Sequence, residues 1–387
     1  MKPANKVLSG YRTSVFEEMS RLAIEHQSIN LGQGFPDEEG PESLKEAADR
    51  AARDFPNQYP PMMGVPELRR AVASQNARFY GLDCDWQTEV MVTSGATEAL
   101  AATILALIEP GDEVVVFDPL YDSYLPMLRR AGAEPKIVRL EPPHWELPRD
   151  ALAAAFSEKT KLILLNTPMN PTGKVFDANE LAFIAALIER HDTYAICDEV
   201  YEHLVFDGGK HIPLITLPGM RERCVRIGSA GKTFSMTGWK VGYVTACPDL
   251  LGVISKAHQF LVFTTPPNLQ RAVAHGLDNE EAWYTSLAGQ LQAKRDRLAD
   301  GLNGLGFEVL PCASTYFLSA DIRPFGFNGS DVDFCKHLTV EAGVTLVPGS
   351  ALFATAGVDH LVRFCFCKRD DVLDGALERL GTHFGRG

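Results

Sequence analysis

The sequence predicts an α/β fold, with a large domain on a mainly parallel sheet and a smaller α+β domain after it. Short apolar, β-branched runs alternate with amphipathic helical stretches through the first two-thirds of the chain, the pattern of strands buried on both faces by helices. After about residue 275 this alternation gives way to a long charged helix, shorter strands and more helices. At 387 residues the chain also has the length of about two domains.

Taken in order, residues 43–54 read as a helix with Leu44, Ala47, Ala48 and Ala51 on one stripe. Pro66-Glu67-Leu68 opens a second, since proline suits a first helical turn, and it ends near Gly81. A third covers 95–108 and stops at the turn Pro110-Gly111-Asp112. Val114-Val115-Val116-Phe117 reads as a buried strand, and similar runs occupy 161–166, 194–197, 224–228 and 242–246. Residues 177–190 give a helix between two of these, and 280–302 give the long charged helix. No internal repeat or low-complexity segment interrupts the pattern.

With 45% hydrophobic and 22% charged residues, the chain resembles an ordinary soluble globular protein and can bury a core without disulfides or metals. A formal net charge of -13 repels phosphate backbones and anionic membranes, so neither nucleic acid nor membrane is an expected partner. A small anionic ligand remains compatible, because a pocket can be locally basic. The eight cysteines are scattered without a Cys-x-x-Cys pair, which fits free thiols in a reducing cytosol better than a zinc site or disulfide frame. His203, His211 and His258 show no metal-ligand spacing, and no metal is expected. Residues 1–11 lack the apolar stretch of a signal peptide, and apolar runs such as 101–108 are too short to span a bilayer. The expected location is cytoplasmic.

The densest chemical signal is Gly228-Ser229-Ala230-Gly231-Lys232-Thr233, continuing to Gly238-Trp239-Lys240-Val241-Gly242. It follows a buried strand, and strand ends are where α/β proteins place ligands. Small residues around Lys232 let a flat ligand approach, while burial and the nearby Lys240 would lower its amine pKa, as covalent chemistry with a carbonyl requires. Taken alone, glycine-flanked lysines are mostly ordinary loop residues. Asp198, in Asp198-Glu199-Val200-Tyr201, stands at the carboxyl end of another apolar strand, where a carboxylate is costly unless paired; a protonated pyridine nitrogen would suit it. Asn166-Thr167-Pro168-Met169-Asn170-Pro171 breaks a third strand into a proline-rigid loop, of which the plain reading is a turn. Thr93-Ser94-Gly95-Ala96-Thr97-Glu98 offers backbone N–H groups at a helix start, either a phosphate cradle or a simple cap.

Together these segments resemble the class I/II aminotransferases of the fold-type I pyridoxal-phosphate family. The nearest group contains glutamine transaminase K, kynurenine aminotransferase and bacterial methionine aminotransferase. The likeness runs from Asn30-Leu31-Gly32-Gln33-Gly34-Phe35-Pro36-Asp37 to Val362-Arg363-Phe364-Cys365-Phe366, and its specificity lies in six motifs in the right order. It implies a seven-stranded sheet in the large domain. It also implies an N-terminal arm and small-domain segment at 1–40, a large cofactor domain at 41–275 and a small C-terminal domain at 276–387.

The resemblance further implies roles. Lys232 would bind pyridoxal 5'-phosphate covalently and then move a proton between the substrate Cα and the cofactor. Asp198 would pair with the pyridine nitrogen, and Tyr201 and Asn170 would hydrogen-bond the phenolic oxygen. Asp198 and Tyr201, three positions apart, can face one ligand. Tyr121 stands where the family stacks an aromatic on the ring, though as a lone residue it would pass for core. Ala96, Thr97, Ser229 and Lys240 would hold the phosphate. Tyr59 matches a residue that reaches the neighbouring subunit's phosphate, which makes a homodimer the expected unit. Arg363 would clamp the substrate α-carboxylate, since an arginine on an apolar strand needs an anion; Asn170 and Gly34 would lie on the same side.

The implied activity is ping-pong transfer of an amino group from an L-amino acid of methionine, glutamine or aromatic type to a 2-oxo acid. Kynurenine-preferring members carry a tryptophan in the N-terminal arm. Here that stretch reads Thr13-Ser14-Val15-Phe16, with Val15 at the aligned position, which favours flexible side chains. Tyr11 and Phe263 are further apolar pocket candidates. A cysteine-S-conjugate β-lyase and an N-succinyldiaminopimelate aminotransferase share the framework and stay open. A transcription regulator would need a basic DNA-binding module, and a nicotinamide dehydrogenase a Gly-x-Gly-x-x-Gly after the first strand; neither is expected.

Overall fold

The computed structural model describes residues 2–11 and 14–385, so Thr13 of the arm stretch lies outside it. In chain order the strands are β1 (Ile29–Asn30), β2 (Val90–Thr93), β3 (Glu113–Asp118), β4 (Glu134–Arg139), β5 (Thr160–Asn166), β6 (Tyr194–Asp198) and β7 (Cys224–Ser229). They continue with β8 (Gly242–Thr245), β9 (Glu308–Val309), β10 (Phe317–Asp321), β11 (Val344–Thr345), β12 (Val347–Pro348) and β13 (Leu361–Cys365).

A seven-stranded sheet in the order β2-β8-β7-β6-β5-β3-β4 forms the main layer. Its pairings are parallel except at β8, which runs antiparallel to both β2 and β7. Strand pleating explains why both faces are covered. Val115, Phe117, Ile163, Leu165, Ala195 and Cys197 belong to one buried cluster, whereas their neighbours Val114, Val116, Leu162, Leu164 and Ile196 belong to another. Each fully buried Val, Leu or Ile in these cores contributes roughly 1.5–3 kcal/mol.

The helices follow their capping chemistry. Asp177 closes a capping box on Ala178–His191, and Gly81 ends Pro66–Tyr80 in the left-handed conformation at φ 63°. Glu42–Asp54, Gly95–Leu107 and Glu281–Gly304 match the expected helices to within two residues at each end. The sequence reading missed β2 and β4, the two edge strands. β4 opens Glu134-Pro135-Lys136, and only an edge accommodates a proline and charges like these. β2 is four residues long and runs almost directly into a helix, which hides its period.

Behind this layer, β12-β13-β10-β9 make an antiparallel sheet and β1-β11 a parallel pair. Met19 and Leu31 share a buried cluster with Leu346, Phe364 and Leu373, so the N-terminal stretch packs with the C-terminal one. Helix Pro267–Asn279 packs on Glu42–Asp54 and Pro66–Tyr80, and the next helix, Glu281–Gly304, packs on Asp370–Phe384. Among the described residues no helix is long and apolar enough to cross a membrane.

One buried ion network locks β6 to β7 just behind the site. Arg226 Nε donates to Glu199 Oε2 at 2.6 Å, its Nη1 donates to Asn76 Oδ1 at 2.8 Å, and it also pairs with Glu202. Burial pushes the Glu202 carboxyl upward, but the Arg226 guanidinium holds it down at about 2. Arg226 thus bridges both carboxylates, although Glu199 Oε1 stays buried without a hydrogen-bond partner.

Candidate active site

Because β8 reverses direction, the link from β7 to β8 crosses the carboxyl edge of the parallel strands. Thr93 and Ser229 both register on Gly242 at that edge, and Asn166 pairs in register with Asp198. The edge opens into a cavity of about 320 Å³ shared with Arg363 of β13 and Gly34. That is the size of a small-ligand site. Every residue expected to hold the cofactor or the substrate carboxylate lines it except Tyr59, whereas the side-chain pocket candidates Tyr11, Val15 and Phe263 do not.

At its base Asp198 is buried and accepts a hydrogen bond on Oδ2 from Tyr124 at 2.5 Å, while its Oδ1 has no partner. Burial raises its carboxyl pKa, against the pull of the Tyr124 bond, the Val200 N–H and Lys232. An orphaned carboxylate oxygen facing a cavity calls for a cation or N–H donor from a ligand.

Lys232 stands opposite on Ala230–Thr233, its Nζ donating to the Tyr316 hydroxyl at 2.7 Å. Part of its surface opens on the cavity, yet burial of the amine lowers its pKa, as expected, with Lys240 adding only a little. A lysine shifted this way is more often neutral, and hence nucleophilic, than an exposed one.

At one end the first turn of Gly95–Leu107 presents Gly95, Ala96 and Thr97, whose N–H groups have no acceptor within the helix. Ser229 and Lys240 complete this end, with Lys240 Nζ 3.4 Å from where a Cβ on Gly95 would stand. Gly242 lets β8 pass beneath: a Cβ there would meet Gly95 C at 2.6 Å and Ala96 N at 2.8 Å. Gly242→Ala is expected to displace the helix start, costing about 1–3 kcal/mol as overpacked sites do and weakening retention of a phosphorylated ligand. Thermal unfolding and ligand titration check this.

At the other end Arg363 is buried, donates to Asn170 Oδ1 at 3.2 Å and Gly32 O at 3.1 Å, and leaves Nε without a partner. Its guanidinium sits 4.0 Å from the Phe317 ring centroid and 5.2 Å from that of Phe16. With Asn170 Oδ1 turned to Arg363, the amide Nδ2 is free to donate into the cavity. Tyr201 is held edge-on against Tyr316 at 5.3 Å, and burial pushes its hydroxyl pKa well up.

The chain matches the family described as aminotransferase class I and II over residues 26–380. It belongs to that family. This aminotransferase is 47% identical to a probable N-succinyldiaminopimelate aminotransferase of Mycobacterium tuberculosis, over 97% of each chain. It is 43% identical to the methionine aminotransferase of Escherichia coli, over 95% of each. The solved structure of N-succinyldiaminopimelate aminotransferase from Mycobacterium tuberculosis superposes with a TM-score of 0.96, covering 98% of this chain and 100% of that one.

Aminotransferases of this family use pyridoxal phosphate, and the cavity fits it. The orphaned Asp198 oxygen awaits a ring N–H, the glycine-floored helix start and Lys240 suit a phosphate, and the lowered Lys232 amine suits an aldehyde.

In this single chain Tyr59 is 82% exposed and packs edge-on against Phe263 at 5.3 Å, outside the chain's own cavity. Two expectations need correction. Tyr11 and Phe263 do not line the cavity; the Tyr11 hydroxyl accepts from Arg129 at 3.1 Å. Phe16, not Val15, is the arm residue that reaches the site, because Ser14 caps the helix Val15–Glu25 and sets which residue of its first turn faces inward. Sequence reasoning gave no role to Tyr124 or Tyr316. Tyr124 lies three after Tyr121, a spacing that could have flagged it; no motif marks Tyr316.

Proposed function

We propose that this aminotransferase draws its amino group from L-amino acids with uncharged side chains, of methionine, glutamine or aromatic type. One observation carries this reading. The cations lining the cavity are Lys232, Lys240 and Arg363. Two of these suit the cofactor and the third suits an α-carboxylate. The remaining substrate side offers Phe16, Phe317 and Leu352, together with the carboxylate of Asp122. A second substrate carboxylate would find no counter-charge there among the described residues and would be repelled by Asp122.

The family resemblance and the place of each residue in the cavity support these roles. Bound here, pyridoxal phosphate supplies an electron-accepting ring and an aldehyde that takes up an amino group. Lys232 anchors it and carries the substrate Cα proton. Asp198 holds a proton on the ring nitrogen, backed by Tyr124. Asn170 Nδ2 and the Tyr201 hydroxyl would hydrogen-bond the cofactor's phenolic oxygen, and Tyr121 would cover its ring. Ala96, Thr97, Ser229 and Lys240 hold the phosphate. Arg363 would hold the α-carboxylate beside Gly34 and so orient the substrate Cα toward Lys232.

We assign the active unit to a cytoplasmic homodimer in which Tyr59 reaches the other subunit's phosphate end. The exposure of Tyr59 and of Phe260, 84% exposed, supports a copy covering this face.

A second reading, N-succinyldiaminopimelate as donor, draws support from the 47% identical relative. That substrate ends in carboxylates and would need a further cation, which the described residues of the cavity do not supply. Initial rates with methionine, glutamine, kynurenine, glutamate and N-succinyldiaminopimelate decide between them. Methionine or glutamine is expected to have the highest kcat/KM; a lead for N-succinyldiaminopimelate or glutamate overturns the proposal. Pyruvate and ammonia released from an alkylcysteine would instead mark the β-lyase. Asp122→Asn is expected to raise glutamate relative to glutamine by about two- to fivefold, the range for an exposed charge worth up to about 1 kcal/mol.

A further inference from the structure

We infer that Tyr316 is a positioning residue whose hydroxyl aims the lone pair of the free Lys232 amine into the cavity. This rests on Lys232 being the cofactor lysine.

The argument is a count of protons. A tyrosine hydroxyl has one proton to donate and lone pairs to accept with. The Tyr316 oxygen lies 3.0 Å from the carbonyl oxygen of Gly34, which can only accept, and the Tyr201 hydroxyl is its other hydrogen-bonding neighbour, so the single proton is drawn to the side away from Lys232. Toward Lys232, at 2.7 Å, Tyr316 is therefore the acceptor. A neutral amine that gives one N–H to Tyr316 keeps its lone pair, and tetrahedral geometry points that pair elsewhere. Were Tyr316 the donor, it would occupy the electron pair that must take the substrate proton.

The aiming group is itself rigid. Tyr316 is 1% exposed, with its ring edge-on to Tyr201 at 5.3 Å and tilted against Phe317 at 4.7 Å. Burial pushes its hydroxyl pKa well up, so the proton stays on the oxygen, while burial of Lys232 keeps the amine toward its neutral form. In the step served, the nitrogen lone pair bonds the Cα proton and the C–H electron pair stays with the carbon. Lys232 becomes an ammonium still within reach of Tyr316. Gly34 also lines the cavity, so the bond chain ties the amine to the segment that borders the substrate.

Tyr316→Phe removes one oxygen and keeps the ring contacts. Two readouts test the inference. First, pyridoxal phosphate is added to cofactor-free protein and the rise of the covalent lysine–cofactor absorbance is followed. The variant should reach the wild-type final absorbance about tenfold more slowly. Second, in steady state with the best donor, kcat should fall about tenfold or more with KM within twofold, and release of deuterium from the donor Cα should slow in parallel. Tyr316→His, which also lacks the hydroxyl, must show the same split and serves if the phenylalanine variant does not fold. Wild-type rates in both readouts overturn the inference, as does a loss confined to KM. An inactive wild type, or activity surviving in Lys232→Ala, would instead overturn the assignment beneath it.

Discussion

Replacing Lys232 with alanine is expected to reduce amino transfer by about 10⁴-fold or more. General-base catalysis alone contributes roughly 10²–10⁴, and the covalent anchor is lost with it. The loss should be in kcat, because Arg363 and the apolar wall of Phe16, Phe317 and Leu352 remain to bind the donor. The variant should also lack the visible absorbance of the lysine-bound cofactor while the phosphate end still binds it. Steady-state rates and an absorption spectrum check both. Colour and turnover like the wild type's would mean that another amine does the work, and the described cavity offers only Lys240 as a second lysine.

Replacing Asp198 with asparagine is expected to cost about 10²–10³ in kcat, the range for removing one preorganised electrostatic group. The side chain keeps its shape and its contact with Tyr124, but it can no longer hold a proton on the ring nitrogen. The buried Oδ1 without a protein partner is the structural reason. Unlike the lysine variant, this one should stay yellow, since Lys232 is untouched. The comparison of colour with rate separates an electronic role for Asp198 from one in keeping the cavity open.

What was legible in the sequence follows from the physics of each residue. Asp198 and Arg363 stand out because charge at an apolar strand is costly without a ligand, and Lys232 because its glycine-flanked segment follows a buried strand and joins the family's motifs. Central strands show because both their faces are apolar; β2 and β4 do not, because one is short and the other has an edge strand's polarity. Tyr316 and Phe16 were invisible for the opposite reason. An aromatic in an apolar stretch looks the same whether its ring fills core or its edge faces a cavity, and only packing distinguishes them. Tyr316 is 84 positions from Lys232, so no local spacing could join them. The same ambiguity drew Tyr11 and Phe263 into the expected pocket, although neither lines it.

Borohydride reduction of the cofactor-loaded protein, followed by peptide mass spectrometry, tests the covalent anchor directly by freezing the cofactor onto whichever amine holds it. The expected result is one phosphopyridoxyl group on the peptide containing Lys232, absent from the alanine variant. A label on Lys240 or any other lysine, or none on a protein that nevertheless transfers amino groups, would contradict the site described.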